Sequence, residues 1–330
     1  MTVGLASLAT LAACDPRRDV REEREGADTL AAPAEGVAVG AASARDARFV
    51  ANLVGFQGPE SARYDPEQDV WFVSNMTGYG SGKDGDGYIT RVGAQPPYAA
   101  AVFVKGGDPG VVLHAPKGMA IHGDTLWVAD IDALRGFERR TGAPLATIDF
   151  APQHAVLLND VAVAPDGTLR VTDTGIVMGP KGIVHTGPDR IFAVGPGGAV
   201  SVAAEGLQLR QPNGVTWDAA GRRWVVVSFD TFVGEVAAMP ADMTSRQVLH
   251  RSKLGRFDGV EVLPNGTILY TSWADSSVHA LAGARDRRVV REVQEPADIG
   301  LDTRRGVLAI PLSTLGRVQL WKLGPNVVGR

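Results

Sequence analysis

The stretches NDVAVAPDGTLRVTD (residues 159–173) and DGVEVLPNGTILYTSW (residues 258–273) carry the same pattern twice. Each opens on a polar residue and runs through about five residues of alternating apolar character. Each then turns tightly, at Asp166-Gly167 or Asn265-Gly266, and continues as an apolar strand. Period-two alternation on both sides of such a dipeptide is a β-hairpin signal. Four further segments follow suit: PESARYDPEQDVWFVSN (59–75), PKGMAIHGDTLWVAD (116–130), NGVTWDAAGRRWVVVSFD (213–230) and ADIGLDTRRGVLAIP (297–311). Helical periodicity is nearly absent. The openings Glu60, Lys117, Asn159, Asn213, Asp258 and Ala297 are spaced 57, 42, 54, 45 and 39 residues apart. A four-stranded propeller blade takes about 40–50 residues, so six units predict an all-β, six-bladed β-propeller. Insertions at 75–88 and 173–189 lengthen two of the intervals. A β-sandwich or barrel is the competing architecture, and hairpins recurring at blade length count against it.

Composition narrows the class. Of 330 residues, 45% are hydrophobic and 21% charged, which suits an ordinary globular core. The 40 glycines and 20 prolines imply many turns. With 33 basic against 37 acidic residues the net charge is −4, so no basic excess exists to neutralise a phosphate backbone and a nucleic-acid partner is not expected. A single cysteine excludes an intrachain disulfide and a thiolate metal cluster. No run of about 18 apolar residues could span a bilayer as a helix.

The N-terminal segment TVGLASLATLAAC (residues 2–14) is uncharged, small and apolar. It has the length of a signal-peptide core and is too short to cross a membrane. Leu11-Ala12-Ala13-Cys14 resembles a bacterial lipobox, in which the cysteine thiol carries the lipid. Residues 1–13 are therefore expected to be a lipoprotein-type signal peptide and Cys14 the lipidation site. Residues 14–45, without aromatic residues or alternation, read as a disordered tether. Residues 46–325 form the propeller. The expected location is extracytoplasmic, anchored in the lipid bilayer through acylated Cys14, on the periplasmic face in a Gram-negative host. Asp15 resembles an inner-membrane retention signal. One departure is that no Lys or Arg precedes the apolar run; the rival reading is a chance apolar start with an inert thiol.

Geometry gathers the chemistry. The first strand of each blade lines the central channel, so if the tight turns share one face, the six openings converge on the other. The second strands return there, bringing Asp130, Asp173 and Asp230. Among the openings, Glu60, Asn159, Asn213 and Asp258 offer oxygen donors. Converged carboxylates repel one another and are costly to desolvate unless a cation lies between them. Two carboxylates with two amide carbonyls suit one Ca²⁺, which takes about 6–8 oxygen ligands. Mg²⁺ and Mn²⁺ also accept such donors, and Zn²⁺ suits them less because no His or Cys joins the set. The rival reading is that polar strand openings merely cap backbone groups.

The segments GPESARYD (58–65), LNDVAVAPDG (158–167), QPNGVTWD (211–218) and FDGVEVLPNG (257–266) resemble the regucalcin (senescence marker protein)/gluconolactonase family of calcium-dependent six-bladed propellers. The resemblance runs from about residue 49 to 323. The related diisopropylfluorophosphatases and paraoxonases share the ring. The resemblance implies a metal-dependent hydrolase of a lactone or related ester, with Glu60, Asn213 and Asp258 as direct ligands. Asn159 would bind the metal, or a water or substrate beside it, and Asp258 would be general base or nucleophile. The sugar lactonases often carry a basic residue two places before the Asn of blade three; Leu157 stands there instead. Apolar or aromatic lactones and esters are therefore expected to outperform gluconolactone. Lys117 occupies the place where paraoxonase-like relatives have His, and either pairs with Asp130 or Asp160 or stabilises an oxyanion. A small-molecule ester is the expected partner, and a monomer the expected state. The contrasting hypothesis is a non-catalytic propeller that binds a ligand or protein at the mouth.

Other motifs carry less. No G-x-S-x-G nucleophile elbow occurs. The GYGSGKDGDGY stretch (78–88) lacks P-loop spacing and a following helix, and reads as a flexible loop. His114, His154 and His185 are candidates for proton transfer, with structural roles as the alternative. Trp71, Trp127, Trp217 and Trp224 are expected between blades.

Overall fold

The computed structural model describes residue 1, residues 39–78 and residues 80–329. The expected signal peptide beyond its first residue, Cys14 and the tether as far as residue 38 lie outside the described residues. Six four-stranded antiparallel sheets follow one another and form the expected propeller. Their innermost strands are Pro59–Asp65, Pro116–His122, Leu158–Val163, Pro212–Asp218, Phe257–Val262 and Gly300–Asp302. A two-stranded hairpin, Ile176–Gly179 with Gly182–His185, is inserted in blade three. Among the described residues, no helix is long and apolar enough to cross a membrane.

Blade six closes the ring with strands from both ends of the described chain. Ala47–Val54 pairs with Arg317–Leu323, Ala47 opposite Leu323 and Val54 opposite Arg317. The propeller also engages residues ahead of 46. Ala41 bridges to Arg291, and Gly40 packs so tightly that a Cβ would lie 2.7 Å from the Arg291 carbonyl.

The core is six apolar seams between neighbouring blades. Trp71 and Tyr64 of blade one meet Val318 and Leu320 of blade six, and Trp224 of blade four meets Ile191 of blade three. Trp217 stands edge-on to Trp224 at 4.9 Å, and Trp127 packs in the seam between blades two and three. The tryptophans therefore sit where alternation placed them.

The innermost strands share an irregularity that creates the site. Pairing with the second strand slips between Pro59 and Ser61, Pro116 and Met119, Leu158 and Val161, Pro212 and Val215, and Phe257 and Val260. A bulge releases one residue from the ladder and re-aims its side chain. Glu60, Lys117, Asn159, Asn213 and Asp258 each fall inside one. Hydroxyls of the second strands brace these bulges: Thr172 Oγ1 accepts from Asp160 N at 2.9 Å and donates to Asn213 O at 2.6 Å. Thr271 links Gly259 N and Ala297 O in the same way.

A separate buried charge cluster lies on blade five. His279 presents Nδ1 to Asp286 at 2.9 Å and Nε2 to Asp275 at 3.1 Å, and stacks on Tyr270 at 4.8 Å. Tyr270 donates to Asp286 at 2.9 Å, while His250 lies 3.8 Å from Asp286 and Arg288 lies 3.9 Å from Asp275. Burial alone would push His279 down, but the two carboxylates outweigh it and its pKa is raised. Its stabilising effect is complete below the ordinary histidine value of about 6.5 and is lost as pH rises through the folded value. The urea midpoint should accordingly fall with rising pH above that value. His279→Gln should flatten this slope, as denaturation followed by circular dichroism at several pH values would show.

Candidate active site at the channel mouth

The five bulge residues reach one end of the central channel, and all are buried. Relative exposures are 5% for Glu60, 0% for Lys117, 4% for Asn159 and 2% for Asn213 and Asp258. Blade six offers Ala297 only through its backbone, whose carbonyl accepts from Thr271. Its neighbour Asp298 is the buried side chain there, accepting from Ser61 Oγ at 2.6 Å.

The strongest chemical signal is what the ring leaves unbonded. Glu60 Oε2, Asn213 Oδ1 and Asp258 Oδ1 are buried and have no hydrogen-bond partner. A buried unsatisfied acceptor costs about 1–3 kcal/mol, and three in one ring call for a shared positive partner. Burial pushes the Glu60 carboxyl well up, and the Asp258 charge adds to it against Lys117. Burial likewise raises Asp258 well above the usual carboxylate range; Asp298 adds, while Trp273 and Lys117 oppose. Among the described residues no three His, Cys, Asp or Glu side chains cluster as a metal site, so the oxygen set depends on the two asparagines.

Lys117 is tied to the roof. Its Nζ donates to Gly80 O at 2.6 Å and Ala115 O at 3.0 Å, and no ion pair with Asp130 or Asp160 is present among the described residues. Burial pushes its pKa down, against the nearby charges of Glu60, Asp130 and Asp258. The 75–88 stretch is thereby held over the channel, and Ser81 Oγ accepts from Met178 N of the inserted hairpin at 2.8 Å. Lys83 also pairs with Asp132. The glycine-rich loop and the hairpin meet as two halves of one roof.

Asp130, Asp173 and Asp230 come to the same face but serve the backbone. Asp130 accepts from His114 N and Ala115 N, Asp173 from Val156 N and Leu157 N, and Asp230 from Phe232 N and Val233 N. His185 pairs with Asp189 at 2.7 Å, and His154 gives its carbonyl to Arg190. His114 has a buried, unpartnered Nδ1. Below the ring, Arg63 pairs with Glu261 at 2.7 Å and lies 3.9 Å from Asp298. A cavity of about 690 Å³ opens at the opposite end, lined by Arg63, Glu67, Asp124, Arg139 and Trp217 among others. Its arginines are already paired.

Fold and ring together define a six-bladed propeller with an oxygen-lined buried site at one channel mouth. The chain belongs to the SMP-30/gluconolactonase/LRE-like family, whose model matches residues 58–300. Among solved structures, a gluconolactonase from Xanthomonas campestris superposes with a TM-score of 0.62 at 14% identity, over 86% of this chain and 96% of that one. A structural-genomics candidate gluconolactonase gives 0.59 at 18%, over 84% and 92%. A nidogen/laminin complex gives 0.53 at 16%, over 74% and 97%. No curated protein matches the chain significantly.

Proposed function

We propose that the protein is a metal-dependent hydrolase of lactones or related esters, acting at this ring. The observation that carries the reading is the set of three buried, unpartnered oxygens on Glu60, Asn213 and Asp258. These residues with Asn159 would hold one divalent cation, Ca²⁺ by donor type. Such a cation supplies Lewis-acid polarisation of an ester carbonyl.

The chain's own groups do the rest. Asp258 accepts the proton of the attacking water as the water oxygen bonds to the acyl carbon. The ring C–O bond then breaks, and the departing alkoxide takes that proton back, giving the hydroxy acid. The loop and hairpin exclude bulk water from the mouth, and Lys117 positions the loop through Gly80. Lys117→Met should therefore raise KM by several-fold and lower kcat less than loss of Asp258 does. Steady-state kinetics on both variants would decide; an equal loss of kcat would place Lys117 at the oxyanion instead.

Assays of Ca²⁺-loaded protein against lactones, aryl esters and phosphotriesters test the reading. Lactone or ester turnover that chelator abolishes and Ca²⁺ restores is expected. Folded, loaded protein that turns over none of the three would instead be a binding propeller.

A further inference from the structure

We propose that Trp273 donates a hydrogen bond to the substrate's carbonyl oxygen, in a chamber that takes lactones or esters with apolar side chains. This inference rests on the hydrolytic reading of the ring. Trp273 Nε1 is buried without a hydrogen-bond partner, and it lies beside Asp258, whose Oδ1 is also unpartnered. The site's other unsatisfied atoms, on Glu60, Asn213 and Asp258, are acceptors suited to a cation. Lys117 already spends two of its three N–H groups on Gly80 and Ala115. An indole nitrogen only donates, so what completes it must be an acceptor oxygen.

The surroundings decide the rest of the ligand. Phe229 stands edge-on to Trp273 at 5.1 Å. Leu157, Ile176 and Phe229 form a buried cluster against which Met178, Ile183 and Trp273 pack. Gly80 fits between the thioethers of Met76 and Met178, where a Cβ would lie 3.2 Å from each sulfur. This wall offers polyol hydroxyls nothing to bond, and each one buried there would go unsatisfied. An alkyl or aryl substituent meets only apolar partners. One donor beside an apolar wall selects a carbonyl on an apolar body.

Trp273→Phe keeps the ring and its edge contact but removes the N–H. The probes are 5-hexylpyrrolidin-2-one, a lactam that resists hydrolysis, and 2-hexyltetrahydrofuran, which lacks the carbonyl. Both are titrated into Ca²⁺-loaded protein by calorimetry. Wild type should bind the lactam more tightly. Trp273→Phe should weaken the lactam about fivefold to tenfold while leaving the tetrahydrofuran and Ca²⁺ affinities unchanged. Trp273→His, which keeps a ring N–H, should recover part of the loss. Unchanged lactam affinity in the phenylalanine variant would overturn the proposal. So would weakening of both probes together with Ca²⁺, which would make Trp273 only a support for Asp258. Wild type that binds neither probe would overturn the apolar chamber even if it hydrolyses other lactones. Lactam binding without turnover of any ester would count against the hydrolytic reading alone.

Discussion

Replacing Asp258 with alanine is expected to lower kcat at least about a hundredfold while leaving the propeller folded. Asp258 sits in a bulge between Phe257 and Val260, so its side chain is outside the ladder pairing. Its carboxylate is buried beside Glu60 and Asp298, and burial with the Asp298 charge holds its pKa high. Truncation therefore removes an uncompensated charge rather than a packing group, and apo stability should not fall. Asp258→Asn retains one oxygen donor but no base, so it should lose turnover while keeping part of the cation affinity. Single-turnover kinetics with circular dichroism as the folding control separates these effects. Activity that survives Asp258→Ala would remove the proposed base.

Chelation is expected to destabilise the wild type. A cation present at 100 times its dissociation constant stabilises the folded state by about 2.7 kcal/mol. For a propeller of this size that is roughly 5–10 °C in Tm. Chelator should lower Tm by that amount and Ca²⁺ should restore it, as calorimetry would show. Glu60→Gln and Asp258→Ala should each shrink the Ca²⁺-dependent shift, because each removes a ring charge. Equal melting with chelator and with Ca²⁺ would contradict the ring as a cation site.

The architecture was legible because a blade is a local unit. Alternation and a tight turn near Gly167 or Gly266 specify one hairpin each, and six such units leave little choice of fold. Closure was less legible, since Ala47–Val54 completes blade six with strands some 270 residues away and no short-range pattern marks it. The ring residues were found because they open strands at comparable places. That they occupy bulges was not read, although Lys117-Gly118, Asn213-Gly214 and Asp258-Gly259 carry a signal. A Cβ at Gly214 would lie 2.4 Å from Asp258 O, and one at Gly259 2.5 Å from Ile299 N, so only glycine lets adjacent blades approach there. Taking blade six to open at Ala297 passed over the buried carboxylate at Asp298. Alignment with Ser61 and Asp160, which hold the second bulge position in blades one and three, could have found it. The role of Lys117 was not legible, because it depends on where a glycine-rich loop folds back. Trp273 escaped notice for a related reason: it follows the end of a strand, and only the assembled ring brings it to Asp258.

The central claim is that Glu60, Asn159, Asn213 and Asp258 together hold one divalent cation. Diffraction from crystals grown with Mn²⁺ in place of Ca²⁺, recorded for anomalous differences, tests it most directly. A single strong peak at the channel mouth, about 2.0–2.6 Å from oxygens of Glu60, Asn213 and Asp258, is the predicted result. Crystals of metal-loaded protein that show no peak there, or a peak held by other residues, would contradict it.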